Sequence, residues 1–310
     1  MFKRFLVLIA TLIVAACAKE TTQTSSTTDT TAATTTTAAA STSSAATQPK
    51  EISGLQTPES VLVDAGQDVY FISNINGDPT VADNNGYILR VNPDSLQTEK
   101  FVEGGQKGVT LNAPKGLGMM NGTLYVADLD TVRMFDAKTG AAKGEVKIPG
   151  ATFLNDVATD GKIVYVSDSG LKAGKNGSLD PTGTDAIWKI SGTKATKYAS
   201  GIDLDRPNGL EVVDGKVWCV SFGATELYDI EKGKKANVVK LPKGSLDGLV
   251  HMSDNTFLVS SWESNSVFRG PKEGPFVEAI TNVKSPADIG YDPKRRVLLV
   301  PHFMENKVTI

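Results

Sequence analysis

The chain has 310 residues with 32 Lys and Arg against 35 Asp and Glu, a formal net charge of −3. That balance gives no basic footprint for nucleic acid and no electrostatic grip on a membrane surface. Two cysteines and two histidines exclude a disulfide scaffold, and neither histidine lies near a Gly-x-Ser-x-Gly turn that would suggest serine hydrolysis.

Residues 1–16 read as a targeting signal: Lys3 and Arg4 precede an apolar run from Phe5 to Ala16 that is too short for the roughly 20 residues a spanning helix needs. The run ends in Val14-Ala15-Ala16-Cys17, which resembles a bacterial lipobox, with Cys17 as the expected lipidation site and outer-membrane anchoring as the expected placement. Residues 17–49 read as a linker. Between 21 and 47 every residue is Thr, Ser or Ala except Gln23 and Asp29, so no large side chain is present to offset the entropy of ordering. Residues 50–310 are long enough for one sizeable all-β domain.

Within that domain a short phrase recurs six times: Pro58-Glu59-Ser60-Val61, Pro114-Lys115-Gly116-Leu117, Leu154-Asn155-Asp156-Val157, Pro207-Asn208-Gly209-Leu210, Leu246-Asp247-Gly248-Leu249 and Pro286-Ala287-Asp288-Ile289. Their second positions lie 56, 40, 53, 39 and 40 residues apart. Each phrase is followed by β-branched and aromatic runs separated by Gly, Asn or Asp turns, which are hairpin signals. Second strands are expected at 69–73, 124–127, 163–167, 217–220, 257–260 and 297–301. Third strands are expected at 87–91, 131–135, 186–190, 226–230, 266–269 and 307–310, and outer strands at 99–102, 144–148, 196–199, 236–241 and 276–280. A period near 40 with this interior predicts an all-β, six-bladed β-propeller with four-stranded antiparallel blades. The chain stops on the third strand of blade six, so residues 50–55 are expected to supply its outer strand and close the ring.

A closed propeller gathers the six second positions around its channel. Glu59, Asn155, Asn208 and Asp247 are oxygen donors, a set suited to calcium and, lacking His or Cys, poorly suited to zinc or copper. Lys115 is the only cation of this ring and is a candidate to hold a carboxylate or support an oxyanion. A second ring, at the ends of the second strands, comprises Asn74, Asp128, Asp168, Ser221, Ser261 and His302. Asp128 and Asp168 are expected to satisfy nearby backbone, whereas His302 is a candidate proton shuttle. Two long insertions, 75–86 and 171–184, fall on the same face, where binding usually lives. The acidic one, with Asp78 and Asp83, lacks calcium-loop spacing and reads as a solvated loop. Trp262 and Phe222 are candidates to stack on a ligand. Cys219 and His251 read as structural.

The blade count, the phrases Pro207-Asn208-Gly209-Leu210 and Leu246-Asp247-Gly248-Leu249, and the Glu/Asn/Asn/Asp order of the ring resemble the gluconolactonase/regucalcin family of propellers. The resemblance implies one channel cation, usually calcium, with Glu59, Asn208 and Asp247 as direct ligands. Asn155 would touch it through water or substrate, and Asp247 would help activate water. The implied function is a calcium-dependent hydrolase of the lactonase or esterase kind, acting on a small-molecule lactone or ester. The alternative is a non-enzymatic propeller that binds a ligand or an envelope protein partner.

Overall fold

The computed structural model describes residues 49–310; the targeting signal, Cys17 and nearly all of the linker lie outside them. Six four-stranded antiparallel sheets form the blades of a β-propeller. Blade one is Pro58–Asp64, Val69–Asn74, Tyr87–Val91 and Thr98–Glu103, from the channel outward. Blades two to five repeat the order, starting from innermost strands Pro114–Met120, Leu154–Thr159, Pro207–Val213 and Leu246–His251. Blade six has inner strand Gly290–Asp292, then Val297–His302 and Lys307–Thr309, and its outer strand is Glu51–Ser53 from the start of the domain. That strand pairs antiparallel with Lys307–Thr309, Ile52 opposite Val308, so the expected closure is present. The expected strands are all found, most extended by one or two residues; the last is shorter, ending at Thr309.

The recurring phrase has a definite local geometry. In each of the first five blades the register between the inner and second strands slips between the first and fourth residues of the phrase, for example between Pro58 and Val61 and between Pro207 and Leu210. Such a bulge re-aims the unpaired residues. The second residue thereby faces the channel, and the third lies where neighbouring blades converge. A Cβ on Gly209 would come within 2.1 Å of the Asp247 carbonyl oxygen, and one on Gly116 within 2.4 Å of the Asp156 Cα. Glycine at these positions is a matter of backbone-to-backbone approach.

The core lies between the blades. The buried apolar residues fall into six clusters, one per blade interface, such as Leu117 and Leu124 of blade two against Phe71 and Ile88 of blade one, and Leu249 and Phe257 against Trp218 and Leu227. Alternating β-branched and aromatic side chains therefore bury both faces of each sheet. This is why the strands read as nearly continuous apolar runs. Cys219 is buried in one such cluster, and burial pushes its thiol up to about 12.

The seam between blades six and one carries additional polar ties. Arg295 donates to Asp68 at 2.7 Å and to Asp292 at 3.0 Å and pairs with Asp94 at 2.8 Å. Lys294 reaches Asp68 at 2.5 Å, and the Tyr70 hydroxyl donates to Asp292 at 2.7 Å. At the channel, the amide of Asp288 donates to the Glu59 carbonyl and that of Val61 to the Asp288 carbonyl, at 2.9 and 3.2 Å.

Candidate channel site

The five polar second positions converge. Glu59, Lys115, Asn155, Asn208 and Asp247 are all buried, and all line one cavity of about 470 Å³ at the entry ends of the innermost strands. The sixth, Ala287, is buried and fills its corner with a methyl group. The insertions cover the same end: Ile75, Asp78 and Thr80 from one, Leu171, Ser178 and Leu179 from the other. The second insertion contains a small hairpin, Leu171–Ala173 paired with Leu179–Pro181, which is too short to show in the sequence pattern.

Each side chain has a fixed place. Asn155 donates from Nδ2 to Ser169 Oγ at 3.0 Å, and that hydroxyl donates on to the Pro207 carbonyl at 2.8 Å. That bond leaves the amide oxygen of Asn155 as its free acceptor at the cavity. Asn208 Nδ2 makes a long contact of 3.4 Å with the Leu246 carbonyl. Trp262 Nε1 donates to Asp247 Oδ2 at 2.7 Å, a link from the turn after the second strand of blade five to its inner strand that the sequence could not reveal. Lys115 Nζ donates to the Ala113 carbonyl at 3.2 Å and stands 4.3 Å above the Phe153 ring.

Two carboxylate oxygens, Glu59 Oε2 and Asp247 Oδ1, are buried without any hydrogen-bond partner. Burial pushes Glu59 well above the usual carboxylate range, helped by the nearby charge of Asp247 and opposed by Lys115. Burial likewise raises Asp247 to about 7 and lowers Lys115 to about 8, although Glu59, Asp128 and Asp78 pull the ammonium back up. A buried carboxylate oxygen without a partner is costly, and two such oxygens share this floor with a single ammonium, Lys115. Two carboxylates with two amide oxygens form an all-oxygen donor set of the kind hard divalent cations take, so these residues fit such an ion. No group of three or more His, Cys, Asp or Glu among the described residues could hold a metal; the set depends on its two amides.

A layer deeper, the third positions of two phrases add Asp156 and Asp288. Asp156 accepts from the amides of Val157 and Leu210, both at 2.6 Å, and Asp288 accepts from Ser60 Oγ at 2.5 Å. Burial raises Asp156 to about 6 and Asp288 well above its usual range, the latter also through the charges of Asp156 and Glu59. Alignment of the second positions alone passed over both. The signal was present in a third position that is otherwise Gly or Ser, where an Asp is out of place. Both aspartates also line a second cavity, of about 660 Å³, at the far ends of the inner strands with Glu211 and His251.

The second ring is structural. Asp128 accepts from the amides of Asn112 and Ala113 and from Arg133; Asp168 accepts from the amides of Phe153 and Gly170. His302 does not line the cavity. Its ring is buried against Thr309 Oγ1 at 3.0 Å and Glu305 at 3.3 Å, because alternation along Val297–His302 turns its side chain into the blade while the following Phe303 and Met304 reach the cavity. The expectation of a proton shuttle at His302 is therefore corrected. Trp262 does line the cavity, edge-on to Phe222 at 6.0 Å and 5.2 Å from Phe303. Asp78 accepts from the Thr80 amide and hydroxyl within its own loop.

Fold and floor together define a six-bladed propeller with a polar, carboxylate-bearing channel cavity. Among solved structures it is similar to the gluconolactonase of Xanthomonas campestris, with TM-score 0.63 and 14% identity over 84% of this chain and 89% of that one. It is also similar to virginiamycin B lyase from Staphylococcus aureus, with TM-score 0.56 and 13% identity over 84% and 98%. A third similar structure is a nidogen/laminin complex, with TM-score 0.54 and 15% identity over 70% and 76%. No protein-family model matches the chain, and no curated protein matches it.

Proposed function

We propose that the channel cavity is the site of a calcium-dependent hydrolase of the lactonase or esterase kind. The observation that carries this reading is the pair of buried, unpartnered oxygens, Glu59 Oε2 and Asp247 Oδ1, on one floor. Glu59, Asn208 and Asp247 would hold the cation directly, with Asn155 beside them. Bound there, the cation supplies Lewis acidity toward an ester carbonyl and toward water. The chain's own residues do the rest. Asp247, held by Trp262 through Oδ2, accepts the proton of the water that adds to the carbonyl carbon. The ester C–O bond then breaks and the proton passes to the departing alkoxide, giving a hydroxy acid from a lactone. Lys115, buried on the same floor, offsets charge developing on the carbonyl oxygen.

A second reading is a non-enzymatic propeller that binds a ligand or an envelope protein partner, and the observation favouring it is Lys115. Its ammonium already lies within electrostatic reach of Glu59 and would partly neutralise the floor without a metal. A lactone panel assayed with calcium and with chelator, repeated with Asp247→Ala, separates the two. Hydrolysis that needs both calcium and Asp247 supports the enzyme, and turnover indifferent to both rejects the mechanism. Placement at the cell envelope by lipid on Cys17 belongs to the same proposal. It predicts that radiolabelled palmitate is incorporated in a bacterial host and that Cys17→Ser abolishes the label.

A further inference from the structure

We infer that the cavity selects a neutral lactone or ester with an apolar arm over a polyhydroxylated or anionic one. This rests on the hydrolase reading of the same floor and adds the substrate class. The cavity has two zones. Apart from Asp78 of the first insertion, its charged and amide side chains lie on the floor, and the walls are largely hydrocarbon: Phe153, Leu171, Leu179, Phe222, Trp262 and Phe303. The only polar atom of the Trp262 side chain is spent on Asp247, so the indole presents only its apolar surface between Phe222 and Phe303.

The two wall hydroxyls are equally committed. Thr80 Oγ1 donates to Asp78 at 2.6 Å, and Ser178 Oγ lies 2.9 Å from Asp180 and 3.0 Å from the Lys175 carbonyl. A sugar lactone entering here would give up hydrogen bonds to water and find, among the wall side chains, only the Asp78 carboxylate to replace them, which costs free energy for every hydroxyl left unpaired. An anion is disfavoured for a different reason. Among the described residues Lys115 is the only cation lining the cavity, and Glu59, Asp78 and Asp247 line it with the opposite sign. Lys115 is already engaged by Ala113, by the Phe153 face and by the field of Glu59, Asp128 and Asp78.

The rim fits the same occupant. Met304 and Leu179, from blade six and from the second insertion, are 69% and 40% exposed at the mouth. Large apolar side chains left open at the lip of an apolar cavity lose water contact when an alkyl or aryl arm lies between them. A volume of about 470 Å³ is within the usual range for a medium-sized ligand.

The test uses the purified full chain and three lactones: γ-decalactone, γ-butyrolactone and glucono-δ-lactone. With calcium present, kcat/KM for γ-decalactone is expected to exceed that for either of the others by about tenfold or more, the discrimination an apolar pocket gives for added methylenes. Met304→Asp, on the exposed rim, is expected to erase most of that preference, read as the ratio of kcat/KM for γ-decalactone to that for γ-butyrolactone. Calorimetric titration with 2-heptylcyclopentanone, which cannot be hydrolysed, reads the substrate class without chemistry. If the ketone binds and no lactone is turned over, the apolar selectivity stands and the hydrolase reading falls. If glucono-δ-lactone is turned over as well as γ-decalactone, or the ketone does not bind, the selectivity inferred here is overturned.

Discussion

Aspartates and glutamates occupy two regions of this propeller under opposite conditions. In the channel, Glu59, Asp247, Asp156 and Asp288 are buried and their pKa values are pushed upward, chiefly by loss of water. At the seam of blades six and one, hydrogen bonds from Arg295 and Lys294 hold Asp68 far below its usual range. Burial raises Asp292 there, but Tyr70 and Arg295 outweigh it. The seam thus uses its carboxylates to hold the ring shut, while the channel buries its own at a cost to stability. Groups retained at such a cost are where function is to be sought.

The sharpest way to break the comparison is in the channel. Asp247→Ala is expected to lower kcat/KM for a responsive lactone by about a hundredfold or more, the scale of a lost general base. Its melting temperature should change little, since removal of the buried, partnerless Oδ1 offsets the loss of the Trp262 hydrogen bond to Oδ2. A large drop in melting temperature would place Asp247 among the structural residues instead. Next in size is calcium itself. At about 100 times its Kd the ion is expected to stabilise the protein by ~2.7 kcal/mol, seen as a rise in melting temperature that Glu59→Gln abolishes. Magnesium, which demands a tighter octahedral shell, should give less.

A smaller effect separates channel from seam by pH. Burial raises Glu211, at the far end of the channel, to about 7, helped by Asp156. Between roughly pH 4.5 and 7 the folded state therefore holds a proton that the unfolded chain has released, and stability falls as pH rises through that window. Glu211→Gln is expected to add about 2 kcal/mol at pH 8 and almost nothing at pH 4, measured by denaturant unfolding at the two values. The seam has the reverse sign. Its depressed carboxylates contribute fully above about pH 4 and lose that contribution only as pH falls through their lower folded-state values. The smallest effect is Arg295→Ala, which should lower the melting temperature modestly, and less in high salt because its partners Asp68 and Asp94 are open to solvent.

Much of this was legible in the sequence, and the limits have physical causes. The phrase at 58, 114, 154, 207, 246 and 286 exposed the blades because the first five share the same bulge and neighbouring inner strands approach closely. Short strands and turns then followed from local chemistry. The ring residues were readable because they are the exceptions within that phrase. Direction within a strand was harder: His302 and Phe303 are adjacent, and only the pleat decides which of them meets the cavity. Contacts across strands, such as Trp262 with Asp247, and the commitment of Thr80 and Ser178 within their own loops, depend on tertiary placement that a repeat pattern does not encode.

The shared sixth blade has a consequence for how the molecule is made. Glu51–Ser53 is among the first strands of the domain to be synthesised, yet its pairing partner, Lys307–Thr309, is among the last. Five blades can assemble from neighbouring segments as they emerge, whereas the sixth requires the two ends of the domain to meet. That step carries the longest loop closure in the fold. Until it occurs, both flanks of the growing ring are open sheet faces. The interval between the fifth blade and the sixth is when the nascent protein is most exposed to mispairing with a second copy of itself.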